Sequence, residues 1–268
     1  MATVTAPPTR DVRATTRGRL WLVPNTLDLG AAAVASLDES VPRAAIGRAA
    51  SLGHWLVEDA KTARAFLKRV QALHPLAQPL QAIAMRELPR PPKDGRGAQP
   101  AAAWRELLAP AFTGQDIGLL SEAGLPAVAD PGAELVAAAH EAGIEVCPLA
   151  GTSSLMLALA ASGLDGQSFA FAGYLPTEAA ARAARVRELE QRSHREHQTQ
   201  IAIETPYRNA ALAGALIELL RPDTRLAIAC GVTLPGGWCR MRRVSQWRAE
   251  PPAFADKHLP AVFLWLAS

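Results

Sequence analysis

The chain has 268 residues, 49% of them hydrophobic, enough to bury a sizeable core as two domains or one large α/β domain. No apolar run reaches the roughly 18 residues of a membrane-spanning helix, and a net charge of +3 permits an anionic or nucleic-acid partner without demanding one. Cys147, Cys230 and Cys239 stand far apart without CxxC spacing, which argues for a reducing, cytoplasmic setting and against a disulfide framework or zinc site.

Residues 1–18 are rich in Ala, Thr and Pro, with Arg10, Arg13 and Arg17 against Asp11, and lack the helical apolar face of a transit segment. A disordered tail is expected there. Residues 20–23 read as a first strand, broken by Pro24 and Asn25, and helical spacing then runs to Leu52, with Gly53 as its stop. A short buried strand at 54–57 delivers Glu58 and Asp59 to its carboxyl end, ahead of a helix over 60–73. Capping of that helix and a functional role are both open for Asp59. A strand at 81–85 is followed by the polar segment 86–100, expected to be a mobile surface loop. Its Arg86, Arg90, Lys93 and Arg96 read either as solvated charges or as contacts to an anionic substrate.

A helix over 101–112 leads to a strand at 117–120 and to GLLSEAGLPAVADPG at 118–132, echoed by PLAGTSSL at 148–155. Each passes from a short apolar run through Gly and Pro into an Ala/Leu-rich stretch of helical period: a strand, a tight loop and a helix start. Such loops lie at the carboxyl ends of parallel strands, where open α/β sheets bind ligands. Glycine admits close backbone approach, and Thr152, Ser153 and Ser154 set hydroxyls beside helix N-terminal N–H groups. Between the loops lie a helix over 133–142 and a strand at 145–149, and a helix over 153–162 follows.

Beyond Gly163 the pattern changes. Strands at 169–174, 201–204, 226–230 and 261–266 alternate with helices over 178–197 and 209–220, and a Gly-Gly turn stands at Gly236 and Gly237. Hairpins mixed with helices predict an α+β domain with a mixed sheet over 166–268, after a parallel-sheet α/β domain over 19–165. The charged helix carries Arg182, Arg185, Arg187, Arg192 and Arg195, a basic stripe diluted by Glu188, Glu190 and Glu196. His194 and His197 on it are three apart around Arg195 and Glu196, the pattern of a solvated face, and no metal is expected.

Six segments in register resemble the tetrapyrrole methylase superfamily: LWLVP at 20–24, VEDAKTARAFLK at 57–68, LLSEAGLPAVADPG, PLAGTSSLMLALAASGL, FAFAGYLP at 169–176 and IETPYRN at 203–209. Within it the chain is most similar to the branch of the small-subunit ribosomal RNA (cytidine 2′-O)-methyltransferases. The resemblance implies a two-domain tetrapyrrole methylase-like fold with S-adenosylmethionine, or S-adenosylhomocysteine as product, in the cleft between the domains. It places donor contacts on Pro24, on Ala123, Gly124, Leu125 and Val128, and on Ser153 and Ser154. The second domain would add Glu204 or Thr205, Ala229 or Cys230, and backbone around Ala261.

The chain departs from that branch in three places. The Arg/Pro-rich 86–100 replaces an Asn-Glu-His motif, CGVTLPGG at 230–237 replaces an Arg-Glu-Leu-Thr-like segment, and Asn25, Thr26, Leu27 and Asp28 replace a Pro-Ile-Gly-Asn turn. The resemblance implies a homodimeric, cytoplasmic, S-adenosylmethionine-dependent methyltransferase acting on a ribosomal RNA 2′-hydroxyl. Carbon methylation of a tetrapyrrole of the uroporphyrinogen or precorrin type, and a non-catalytic cofactor-binding protein, are the other readings. A hydroxyl acceptor is helped by a general base, for which Glu58, Asp59 and Lys61 are the candidates.

Overall fold

The computed structural model describes residues 17–28, 36–89 and 101–268. These form two compact units, one of residues up to Pro24 with Pro42–Ala150, the other of Asn25–Val41 with Gly151–Ser268.

The first unit is built on a five-stranded parallel sheet in the order β3-β2-β4-β1-β5, from β1 (Leu20–Leu22), β2 (His54–Val57), β3 (Ala84–Glu87), β4 (Ile117–Leu120) and β5 (Val146–Pro148). Helices α1 (Arg43–Ser51), α2 (Ala60–Leu73), α3 (Ala101–Leu107), α4 (Ala109–Phe112) and α5 (Ala133–Glu141) surround it. β4 is buried at every position because a parallel sheet is covered on both faces. Ile117 and Leu119 join Trp104, Leu107, Leu135 and Ala139 on the side of α3 and α5. Gly118 turns the opposite way, where an added Cβ would meet the Trp55 ring at 2.8 Å. Trp55 in turn packs edge-on against Phe66 of α2.

The second unit carries a mixed sheet in the order β6-β7-β10-β8-β9, from β6 (Phe169–Tyr174), β7 (Thr199–Glu204), β8 (Arg225–Cys230), β9 (Trp238–Arg243) and β10 (Ala261–Leu266). β6 runs parallel to β7 and the remaining pairs are antiparallel. Alternation along β10 divides two cores. Val262 and Leu264 pack against Leu155, Ala158 and Leu159 of α6 (Ser154–Ser162). Ala261, Phe263 and Trp265 pack against the other layer, α7 (Ala179–Glu196), α8 (Asn209–Leu219) and α9 (Val244–Ala249). The buried Glu190 on α7 accepts from Arg221 N at 2.8 Å and from Thr224 Oγ1 at 2.6 Å, tying that helix to the turn before β8. A buried carboxylate requires such donors.

Several expectations are corrected. The division expected at Asp165 falls instead after Ala150, because α6 packs Leu155, Ala158 and Leu159 on the second sheet. Arg17 and Gly18, expected in the tail, are held: Gly18 N donates to Ala111 O at 2.9 Å, and Arg17 Nη1 to Ala142 O. Residues 1–16 lie outside the described residues, as do Arg90, Lys93 and Arg96 of the expected loop. The strand expected at 81–85 begins only at Ala84, because Pro79 starts a 3-10 turn over Leu80–Ala82. The helix expected over 101–112 breaks between Leu107 and Ala109, ahead of Pro110, whose ring cannot continue an α-helical ladder.

Candidate functional site

In the first unit the candidate residues meet at the carboxyl edge of the sheet. β4 lies between β1 and β2, with Leu119 opposite both Leu22 and Leu56. The loop 121–132 therefore leaves the sheet between Pro24, which follows β1, and Glu58, which follows β2. Val23 N and Glu58 N both donate to this edge of β4, to Leu119 O at 2.9 Å and Leu120 O at 3.2 Å. The expected Ala123, Gly124, Leu125 and Val128 lie along the loop, and Val128 is 44% exposed.

Its backbone is unusual. Gly124 has φ 67°, and Ala127 and Ala129 both have φ 65°. For alanine the left-handed region costs about 1–2 kcal/mol per residue, and strain of this kind gathers at ligand-binding sites. Small side chains with peptide groups turned in this way leave main chain, rather than side chain, for a ligand to meet.

Three carboxyls gather beside it. Glu58 Oε2 accepts from Glu122 N at 3.2 Å. Asp130 is pushed up to about 6, first by burial and then by the charge of Glu58, against a hydrogen bond with Ser121. Glu122 is raised by lost hydration and then by Glu58 and Asp59. Asp59 differs in its shift: its Oδ1 accepts from Thr62 N at 2.7 Å, capping α2, and that bond holds its carboxyl below the usual range. Lys61 is exposed on the first turn of α2. Glu122 and Asp130 were missed in the sequence, although both lie in the motif quoted for the loop; only packing shows that they share a site with Glu58.

In the second unit the predicted residues also meet. Ala261 of β10 pairs with Glu204 on β7 and with Cys230 on β8, so the three stand in a row across the sheet. Their side chains are buried, as is that of Ala229, so a ligand at this edge would meet main chain. Ala229 packs toward α6, whereas Cys230 points to the opposite core with Sγ 3.8 Å from Leu259 O. Glu204 Oε1 accepts from Thr205 N at 2.8 Å and Thr205 Oγ1 at 3.1 Å. Ser153 is the N-cap of α6 but makes no side-chain cap hydrogen bond. Its neighbour Thr152 instead donates to Asn25 O at 2.8 Å. Asn25, Thr26 and Asp28, the residues of the altered turn, are buried and polar, with Thr26 Oγ1 donating to Asp28 at 2.8 Å.

Two charge expectations change. Arg86 lies in β3 rather than in the loop and pairs with Glu106 at 2.9 Å. The basic stripe on α7 is largely paired: Arg185 with Glu188 and Arg192 with Glu196, at the i,i+3 and i,i+4 spacings that meet on a helix, and Arg195 with the adjacent Glu196.

A parallel α/β unit with a strained small-residue loop at its carboxyl edge, followed by a mixed-sheet α+β unit, is the architecture of a two-domain methylase. The family model of the Tetrapyrrole (Corrin/Porphyrin) Methylases matches residues 54–237, and the chain belongs to that family. Among curated proteins it is similar to the ribosomal RNA small subunit methyltransferase I of Synechocystis sp., 41% identical over 129 residues, covering 48% of this chain and 45% of that protein. The protein of the same name from Mesorhizobium japonicum is 39% identical over 128 residues, covering 48% of this chain and 42% of that one. The matched stretch thus spans just under half the length of these relatives. Among solved structures, the methyltransferase CobJ shares the fold with a TM-score of 0.53 at 16% identity, over 94% of this chain and 95% of that one.

Proposed function

We propose that the protein is an S-adenosylmethionine-dependent methyltransferase acting on the 2′-hydroxyl of a nucleoside in ribosomal RNA. The observation that carries this reading is the loop 121–132, with Gly124, Ala127 and Ala129 all at positive φ beside three carboxyls. The ribosomal RNA methyltransferases to which the chain is similar support the choice of acceptor.

When bound, the donor supplies an electrophilic methyl group on a sulfonium. Pro24 and the backbone of Ala123, Gly124, Leu125 and Val128 would hold it from the first unit. In the second unit, Ser153, Ser154, Thr205 and the main chain at Glu204, Ala229, Cys230 and Ala261 are the residues that the family resemblance assigns to donor contacts. For an attacking hydroxyl the proton needs an acceptor, and Asp130 suits this better than Asp59. A carboxylate raised to about 6 is ionised at neutral pH yet more basic than an ordinary one, whereas Asp59 is lowered and engaged as a cap. Burial, and after it the charge of Glu58, raises that value. Much of the rate would come from orienting donor and acceptor, and no covalent nucleophile is needed.

Among the described residues no helix is long and apolar enough to cross a membrane. A cytoplasmic homodimer completes the reading: the free cysteines suit a reducing compartment, and Phe169 and Phe171 stand exposed on the edge strand β6. Mass spectrometry of ribosomal RNA from a deletion strain and its parent tests the activity. A methyl group missing only in the deletion strain supports it; identical RNA removes ribosomal RNA as acceptor and turns attention to tetrapyrroles. Light scattering tests the dimer.

A further inference from the structure

A cavity of about 470 Å³ lies wholly within the second unit, lined by Thr177, Arg182, Tyr207, Arg208, Ala211 and Leu212. We propose that it is a subsite for one nucleotide of a single-stranded RNA acceptor, with Tyr207 stacking on the base and Arg182 and Arg208 holding the phosphate. The proposal rests on the ribosomal RNA reading above and names the residues that would grip the strand.

Tyr207 sits on the 3-10 turn Pro206–Arg208 and is 79% exposed. A ring so far out of the core contributes little to folding, but it offers a face on which a base can stack without regard to sequence. The cations are placed beside it. Arg182 Nη1 donates to Thr177 O at 2.9 Å, which fixes the side chain, while its Nε is buried without a hydrogen-bond partner. A buried guanidinium donor without an acceptor is costly, so the cavity wall carries an unmet donor on a cationic side chain. Arg208 Nη2 lies 3.1 Å from Glu204 Oε2, an ion pair that sets the direction of its side chain.

Two helix starts add to the field. Thr177 lies two residues before α7, and Arg208 is the N-cap of α8 without giving it a side-chain cap. The positive ends of helices of 18 and 11 residues therefore adjoin the cavity. Glu178 and Glu204 are the neighbouring acids: the Glu178 carboxylate already caps α7 through Ala180 N and Ala181 N, and Glu204 is the ion-pair partner of Arg208. The volume lies in the range of about 300–1,000 Å³ typical of sites for small molecules, so it suits a single splayed nucleotide rather than a duplex.

Fluorescence anisotropy with a short labelled single-stranded RNA of ribosomal sequence, at several salt concentrations, tests the subsite. Tyr207→Ala should weaken binding roughly 5- to 150-fold, the effect of losing one base stack of about 1–3 kcal/mol. Tyr207→Phe, which keeps the ring face, should stay within about twofold of the parent. Arg182→Gln and Arg208→Gln should each reduce the slope of log affinity against log salt by about 0.7. Calorimetric titration of S-adenosylhomocysteine should give the parent affinity in both Tyr207 variants.

If Tyr207→Ala binds RNA like the parent, the subsite is overturned and the methyltransferase reading stands. A parent protein that binds no S-adenosylhomocysteine removes the methyltransferase reading itself. Tight binding of uroporphyrin, lost in Tyr207→Ala and with no binding of RNA, overturns the nucleotide assignment in favour of a tetrapyrrole.

Discussion

Arg208 Nη2 lies 3.1 Å from Oε2 of Glu204, four residues earlier, in a geometry that forms an ion pair but leaves Oε2 without a hydrogen-bond donor. The Glu204 side chain is 1% exposed and that of Arg208 is 27% exposed. Glu204 is thus a buried anchor, whose other oxygen fixes the Thr205 N–H and hydroxyl at the start of the turn that presents Tyr207.

Removing that anchor leaves the Thr205 donors and the Arg208 charge unmatched. Glu204→Ala is expected to cost about 2 kcal/mol, as for loss of hydrogen bonds to a charged group. Denaturant unfolding should show a lower midpoint with an unchanged slope. An unchanged midpoint would mean that the turn holds without its carboxylate.

Asp130 makes stability depend on pH. Its carboxyl is raised from 3.8 to about 6, so the folded protein binds the proton more tightly than the unfolded chain does. The contribution is fully present below about 4 and is lost as the pH rises through about 6. Asp130→Asn, which mimics the neutral acid, should therefore be more stable than the parent above that range by about 1–2 kcal/mol, after allowance for solvent screening. Unfolding free energies at acid and at mildly alkaline pH check this. A methylation assay should show the same variant losing activity if the carboxylate accepts the proton.

Gly124 at φ 67° is buried in the strained loop. A β-branched side chain is poorly accommodated there, and Gly124→Val should cost about 1–2 kcal/mol in backbone strain. Much more than that is expected at the ligand, because the side chain occupies the space through which backbone meets it. Titration with S-adenosylhomocysteine should show no measurable binding in a variant that still unfolds cooperatively. Affinity within twofold of the parent would displace the loop from the donor site.

Burial raises all three thiols, that of Cys147 with added repulsion from Glu145 and that of Cys230 with added repulsion from Asp256. Thiolates are therefore scarce at neutral pH, and none of the three is a nucleophile in waiting. Alkylation of the native protein should be slow at every cysteine and should accelerate only above the ordinary thiol value of 9.0. Rapid labelling near neutrality, read by mass spectrometry, would show an activated thiol.

The sequence by itself determined the elements whose signal is local. The strands His54–Val57, Phe169–Tyr174 and Ala261–Leu266 and the helix Ala60–Leu73 have the bounds that apolar runs and helical period predict. The strand–loop–helix order around Gly124 and Ser153 was equally legible, because Gly, Pro and hydroxyl residues act on their immediate neighbours. Tertiary structure alone decided which sheet α6 covers, since Ser154–Ser162 is apolar around its circumference and its period selects no partner. It also paired Arg86 with Glu106, raised Asp130 beside Glu58, and brought Arg182 to Tyr207 and Arg208 across 25 residues or more of chain. Burial and charge act through space, and distances between side chains remote in sequence exist only once the sheets have formed.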